Sequence, residues 1–117
     1  MIRTAEFVSP GHPDKICDRI SDKILDTCLE QDSDSRVAIE TCGGHGSVHL
    51  TGEITTNAQL DYESIVKEVG GTRPLNKVTH NIVKQSNEIS RGVDKGGAGD
   101  QGIMVGYACD DNDEYVP

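Results

Sequence analysis

Apolar residues recur every fourth position between Pro13 and about Gln31, where Ile16, Ile20 and Ile24 form a stripe flanked by Cys17 and Cys28. That period predicts an amphipathic helix. Pro13 suits the first helical position, and Asp14 in the first turn complements the helix dipole. Lys15–Asp18, Arg19–Asp22 and Lys23–Asp26 are spaced three apart on the wet face and are expected to pair there. The period then changes to two. Arg36 to Cys42 alternates, with Val37 and Ile39 on one face and Ala38 and Glu40 on the other; Gly43 to Gly46 reads as a turn, and Ser47 to Thr55 alternates again through Val48 and Leu50. This is a hairpin pattern, although a four-residue loop fixes no turn type. Glu53 shares a face with His49 and Thr51, so Glu40 and Glu53 both lie opposite the apolar residues.

Asp61 can cap a second helix running to about Val69, with Tyr62, Ile65, Val66 and Val69 as its apolar stripe and Gly70 as its stop. Asn76 to Lys84 alternates through Val78, His80 and Ile82 and is expected to be a strand. Gln85 to Gly99 is long, polar and glycine-rich, the kind of loop that serves as a lid. Ile103 to Cys109 is a final, mostly apolar strand, and Ile2 to Ser9 a short strand or extended arm. The order of elements implies an α+β fold, with helices packed on one face of a mixed or antiparallel sheet.

Composition adds dependence. The 117 residues suit one domain, but only 3% are aromatic, none is tryptophan and 13 are glycine. Little aromatic area can be buried and much backbone entropy is lost on folding, so the domain is expected to lean on partners. A β-rich domain with a Val/Ile/Leu core is the plainer alternative. The formal charge of −9 argues against nucleic acid, which needs clustered cations. An anionic ligand would need its charge neutralised by a metal ion, backbone N–H groups or another chain. The acidic run Asp110 to Glu114 reads as a solvated end or linker. Cys17, Cys28, Cys42 and Cys109 have neither C-x-x-C spacing nor a dense framework, and no signal peptide, long apolar stretch or internal repeat is visible. The expectation is a cytoplasmic protein with reduced thiols and no membrane partner.

Three stretches carry candidate chemistry. In "SPGHPDK" (Ser9 to Lys15), Gly11 permits close backbone approach, and the free N–H groups of a helix start favour phosphate. There His12 could hydrogen-bond a phosphate or leaving-group oxygen, and Asp14 is a hard oxygen ligand of the type Mg²⁺ takes beside nucleotide phosphates. Spacing alone favours an ordinary helix start, where Asp in the first turn is routine. In "GEITT" (Gly52 to Thr56), Glu53 stands beside a strand glycine, which marks close approach by a ligand or by another backbone; Glu53 could hold an ammonium group or lie in solvent. "GGAGDQG" (Gly96 to Gly102) could form an anion nest around Asp100, or a hinge. It fits neither the P-loop nor the dinucleotide-binding fingerprint. His45, His49 and His80 lack metal-ligand spacing.

Taken in order, "GHPDK" opening a helix, "ET" in a strand, "GEITT" ending the next, "KQS…GVD" and "GAGDQG" resemble the amino-terminal domain of S-adenosylmethionine synthetases, over nearly all of the chain. The resemblance implies a methionine adenosyltransferase, which forms S-adenosylmethionine from ATP and L-methionine and hydrolyses the triphosphate to pyrophosphate and phosphate. It implies Mg²⁺ and K⁺ as cofactors and a homo-oligomer. Carried onto this sequence, it assigns His12 to ATP, Asp14 to Mg²⁺, Glu40 to K⁺, Glu53 and Gln85 to methionine, and Asp100 to the methionine region. Gln85 to Lys95 matches the loop that gates the active site.

Two departures stand out. "GGTRPLN" (Gly70 to Asn76) replaces a longer connection, and "QSNEIS" lacks the proline–aspartate pair usual after "QS". The family has three related domains, with active sites between subunits and triphosphate-binding cations in the later domains. The expectation is therefore that residues 1–117 are the amino-terminal domain without the central and carboxy-terminal ones, inactive alone. A non-catalytic module that pairs with a fuller synthetase subunit is the alternative.

Overall fold

The computed structural model describes residues 8–85, 94–97, 102–103, 106 and 108–115. Helix α1 spans Pro13–Gln31, strands β1 and β2 span Arg36–Gly44 and Ser47–Thr55, helix α2 spans Tyr62–Gly70, and strand β3 spans Lys77–Val83. The sheet order is β1-β2-β3, with β1 antiparallel and β3 parallel to β2. A parallel neighbour requires a crossover, and α2 supplies it. The fold is α+β, two helices packed on one face of a three-stranded mixed sheet.

The fourfold stripe of α1 is the centre of the core. Ile16, Ile20, Ile24 and Cys28 are buried against Ile39, Val48, Leu50, Ile65 and Val66. Each fully buried isoleucine or leucine contributes about 1.5–3 kcal/mol of transfer free energy. Period-two alternation sets the other side: Arg36, Ala38, Glu40 and Cys42 of β1 pair with Thr55, Glu53, Thr51 and His49 of β2, on the face away from the helices. Ser21 and Thr41 share a hydroxyl hydrogen bond of 2.7 Å that ties α1 to β1.

Several local expectations are corrected. The hairpin turn has two residues: His45 and Gly46 take φ of 50° and 82°, while Gly43 and Gly44 belong to β1. Positive φ at both positions is the type I′ pattern, whose twist matches that of the strands. Helix α2 stops one residue later than expected, at Gly71 with φ 61°, because Gly70 is still helical and buried. A Cβ on Gly70 would lie 2.5 Å from Leu75 Cδ1. Of the three charge pairs foreseen on α1, Lys15–Asp18 forms at 2.9 Å, whereas Lys23 reaches Glu68 of α2 at 3.2 Å. Packing α2 beside α1 gives Lys23 a partner that local spacing cannot reveal.

In the expected final strand, Ile103, Gly106, Ala108 and Cys109 lie outside any strand, and Ile103 is fully exposed. The rest of that stretch, residues 2–7 of the expected arm, and residues 86–93 and 98–101 lie outside the described residues, so Asp100 does too.

Candidate functional site

The motif residues fall into two groups, on different parts of the fold. The first is at the start of α1. His12 is the N-cap, with extended backbone (φ −65°, ψ 141°), and its Nδ1 accepts the backbone N–H of Asp14 at 3.1 Å. Acceptance at Nδ1 places the imidazole proton on Nε2, so the other edge of the ring is a donor. Asp14 follows Pro13 into the first turn, and its side chain is 83% exposed. Lys15 turns away to Asp18, and among the described residues no lysine or arginine lies within 4 Å of the Asp14 carboxylate. The exposed carboxylate suits a hydrated divalent cation. The helix start offers phosphate fewer donors than its sequence suggests, because Pro13 has no N–H, that of Asp14 is taken by His12 Nδ1 and that of Ile16 by the His12 carbonyl at 3.0 Å.

A cavity of about 210 Å³ adjoins this helix start, walled by Gly11 and Pro13, the hairpin turn, and Arg73 to Leu75. The backbone carbonyl of Gly46 holds the last wall in place by accepting from the N–H groups of Asn76 at 3.0 Å and Lys77 at 3.2 Å. Arg73 Nη2 stands 3.1 Å from where a Cβ on Gly11 would be, and its Nη1 donates to the Gly70 carbonyl at 3.3 Å. The "GGTRPLN" connection thus brings a cation against "SPGHPDK". Sequence reasoning missed Arg73, because only the docking of this connection on the hairpin turn makes the two stretches neighbours.

The second group lies on the outer face of the sheet. Glu40 is opposite Thr51, and Glu53 is opposite Ala38, with Val83 of β3 on its other side. The two glutamates are diagonal neighbours, about 7–8 Å apart at their Cα atoms. Gln85 follows β3 two residues after Val83, at the same end of the sheet, and its Oε1 is buried without a hydrogen-bond partner among the described residues. Arg36, unremarked in the sequence beyond its place in a strand, is at this end too: it opens β1 opposite Thr55 and pairs with Asp94. Gly52 explains itself by backbone contact: its φ is 137°, and a Cβ there would run into the Ala38 carbonyl of β1. The glycine beside Glu53 serves the strand, where a ligand was the other possibility.

The remaining histidines are structural. His49 Nδ1 shares a 2.8 Å hydrogen bond with Thr79 Oγ1 across β2 and β3, and His80 packs against the Tyr62 ring with centroids 5.1 Å apart. Among the described residues no group of three or more His, Cys, Asp or Glu side chains could hold a metal ion. Mg²⁺ at Asp14 or K⁺ at Glu40 would therefore draw its other ligands from nucleotide, water or neighbouring oxygens. Burial pushes the Cys17 and Cys28 thiols up from 9.0, which keeps them protonated, unlike reactive thiolates. Among the described residues no helix is long and apolar enough to cross a membrane.

A helix-capping histidine with an exposed aspartate two residues on, and two glutamates on the outer face of a mixed sheet, are thus set in an α+β domain. The family model for the S-adenosylmethionine synthetase N-terminal domain matches residues 1–93. The chain belongs to that family.

Proposed function

We infer that this chain supplies part of a methionine adenosyltransferase active site, with the nucleotide and Mg²⁺ at the start of α1 and methionine on the outer sheet face. The observation that carries this reading is the His12 cap. Its Nδ1 is occupied by the Asp14 N–H, which leaves Nε2–H free to donate to a phosphate oxygen. In the reaction the methionine sulfur attacks C5′ of ATP, a C–S bond forms, the C5′–O bond breaks, and the triphosphate departs before hydrolysis to pyrophosphate and phosphate. A thioether has a lone pair ready and no proton to lose, so no general base is required. Catalysis rests on positioning and on stabilising the leaving group.

Each residue then has a task. His12 Nε2–H donates to the leaving triphosphate. Asp14 would help hold Mg²⁺, which would supply positive charge to the phosphate oxygens. Glu53 accepts from the methionine ammonium and Gln85 contacts the same substrate; Asp100, outside the described residues, is assigned to methionine by the family resemblance alone. Glu40 helps hold K⁺. Arg73 lends one positive charge near the helix start, far short of what a triphosphate needs, so the remaining cations come from other domains or a second subunit of a homo-oligomer. The outer sheet face, on which no helix of the described residues packs, suits such a neighbour. That same face also supports a second reading, a non-catalytic module pairing with a fuller synthetase subunit.

Incubation of the 117-residue chain with ATP, L-methionine, Mg²⁺ and K⁺ tests the proposal. Little or no S-adenosylmethionine is expected from the chain by itself, and robust turnover would overturn the dependence on added cations. A stable complex with a full-length synthetase subunit on size exclusion, with that subunit's turnover lowered, would favour the second reading.

A further inference from the structure

Arg36 begins β1 opposite Thr55, and Glu53 is two positions back along β2, so the two side chains leave the same face as diagonal neighbours. Long side chains of opposite charge can meet across such a diagonal. These two do not. The guanidinium gives Nη2 to the carboxylate of Asp94, while Nη1 is buried with no acceptor among the described residues. At the same end of the sheet, Gln85 Oε1 is buried with no donor. Buried polar atoms are rarely left unpaired in native proteins, and here an orphaned donor and an orphaned acceptor share one end of the sheet with the Glu53 carboxylate, which has no ion-pair partner among the described residues. An α-amino acid carries the complementary groups on a single carbon: a carboxylate for Nη1, and an ammonium for Gln85 Oε1 and Glu53.

We propose that Arg36 is a substrate-binding residue whose Nη1 receives the α-carboxylate of the amino acid. The proposal rests on the reading that Glu53 and Gln85 face methionine. Asp94 is a positioning residue, because holding Nη2 fixes the plane of the guanidinium and aims Nη1 at the site. Selectivity follows: a ligand without the carboxylate leaves a buried guanidinium N–H unpaired and is rejected for that reason.

The test compares L-methionine with L-methioninol, in which an alcohol replaces the carboxylate, by calorimetric titration of the full chain and of Arg36→Met, Arg36→Lys and Glu53→Gln. The unaltered chain should bind L-methionine about 10–100-fold more tightly than methioninol, as a charge-assisted hydrogen bond commands. Arg36→Met should bring that ratio close to one, chiefly by weakening L-methionine, and Arg36→Lys should recover part of it. Glu53→Gln should weaken both ligands alike, since both carry the ammonium. Equal affinity of the unaltered chain for the two ligands overturns the role of Arg36 without any substitution being needed. An undiminished ratio in Arg36→Met, with both ligands weakened by Glu53→Gln, overturns Arg36 alone. If neither ligand binds, or Glu53→Gln changes neither, the methionine reading fails and the proposal with it.

Discussion

His12 Nδ1 accepts the backbone N–H of Asp14 at 3.1 Å, so one histidine both closes the start of α1 and turns a donor outward. The two roles separate by substitution. His12→Asn keeps a good cap and should leave thermal stability nearly unchanged, while His12→Ala should cost about 1 kcal/mol. Both should weaken Mg²⁺–ATP binding, because both remove the Nε2–H donor. Melting curves read the first effect and nucleotide titration the second.

Gly52 and Ala38 set the geometry beneath Glu53. With φ at 137° and the Ala38 carbonyl where a Cβ would stand, Gly52→Ala must move the β1–β2 ladder. A loss of about 1–3 kcal/mol is expected in urea unfolding, the scale of a strained backbone position. Gly44→Ala, in the same hairpin but with nothing within 4 Å of its added Cβ, should cost much less.

Acid should loosen both ends of the helix layer. The Asp61 carboxyl is held below its ordinary value of 3.8 by the backbone N–H and hydroxyl of Ser64, and Asp32 is held down chiefly by the backbone N–H of Asn57. A lowered folded value means that each group's stabilisation is complete above the unfolded value of 3.8 and is lost as pH falls through the folded one. Denaturant midpoints should therefore fall below about pH 4. Asp61→Asn, still a good N-cap, should flatten that decline.

Thiol reactivity should follow burial. Cys42 is exposed on the outer sheet face, whereas Cys28 is fully buried and its thiol is pushed up by desolvation. An aromatic disulfide reagent at neutral pH should label Cys42 rapidly and Cys28 only on unfolding. Fast labelling of Cys28 in the folded chain would contradict the packing of α1.

Much of this fold is legible in the sequence where a long period acts alone. The fourfold isoleucine stripe defines α1 from Pro13 to Gln31, and the alternation through Val48 and Leu50 defines β2 from Ser47 to Thr55. Period two also places Glu40 and Glu53 on the outer face. What escapes is non-local. The hairpin shortens to His45–Gly46 because strand twist favours a two-residue turn, and Lys23 finds Glu68 only once α2 lies beside α1. Arg73 meets Gly11 through a connection that folds back on the turn, and Arg36 gains meaning only from the register that sets it diagonal to Glu53. Motif words single out His12, Asp14, Glu40, Glu53 and Gln85 as candidates without showing that the fold divides them between a helix start and a sheet face.

That division is the central claim, and amide chemical shifts of the isotope-labelled chain test it most directly. Titration with Mg²⁺–ATP should perturb amides of residues 11–16 and those near Arg73, and titration with L-methionine those of residues 36–40, 51–55 and 83–85. Two separate sets of shifts are the predicted result. Shifts from both ligands at a single place, or methionine shifts confined to the start of α1, would contradict it.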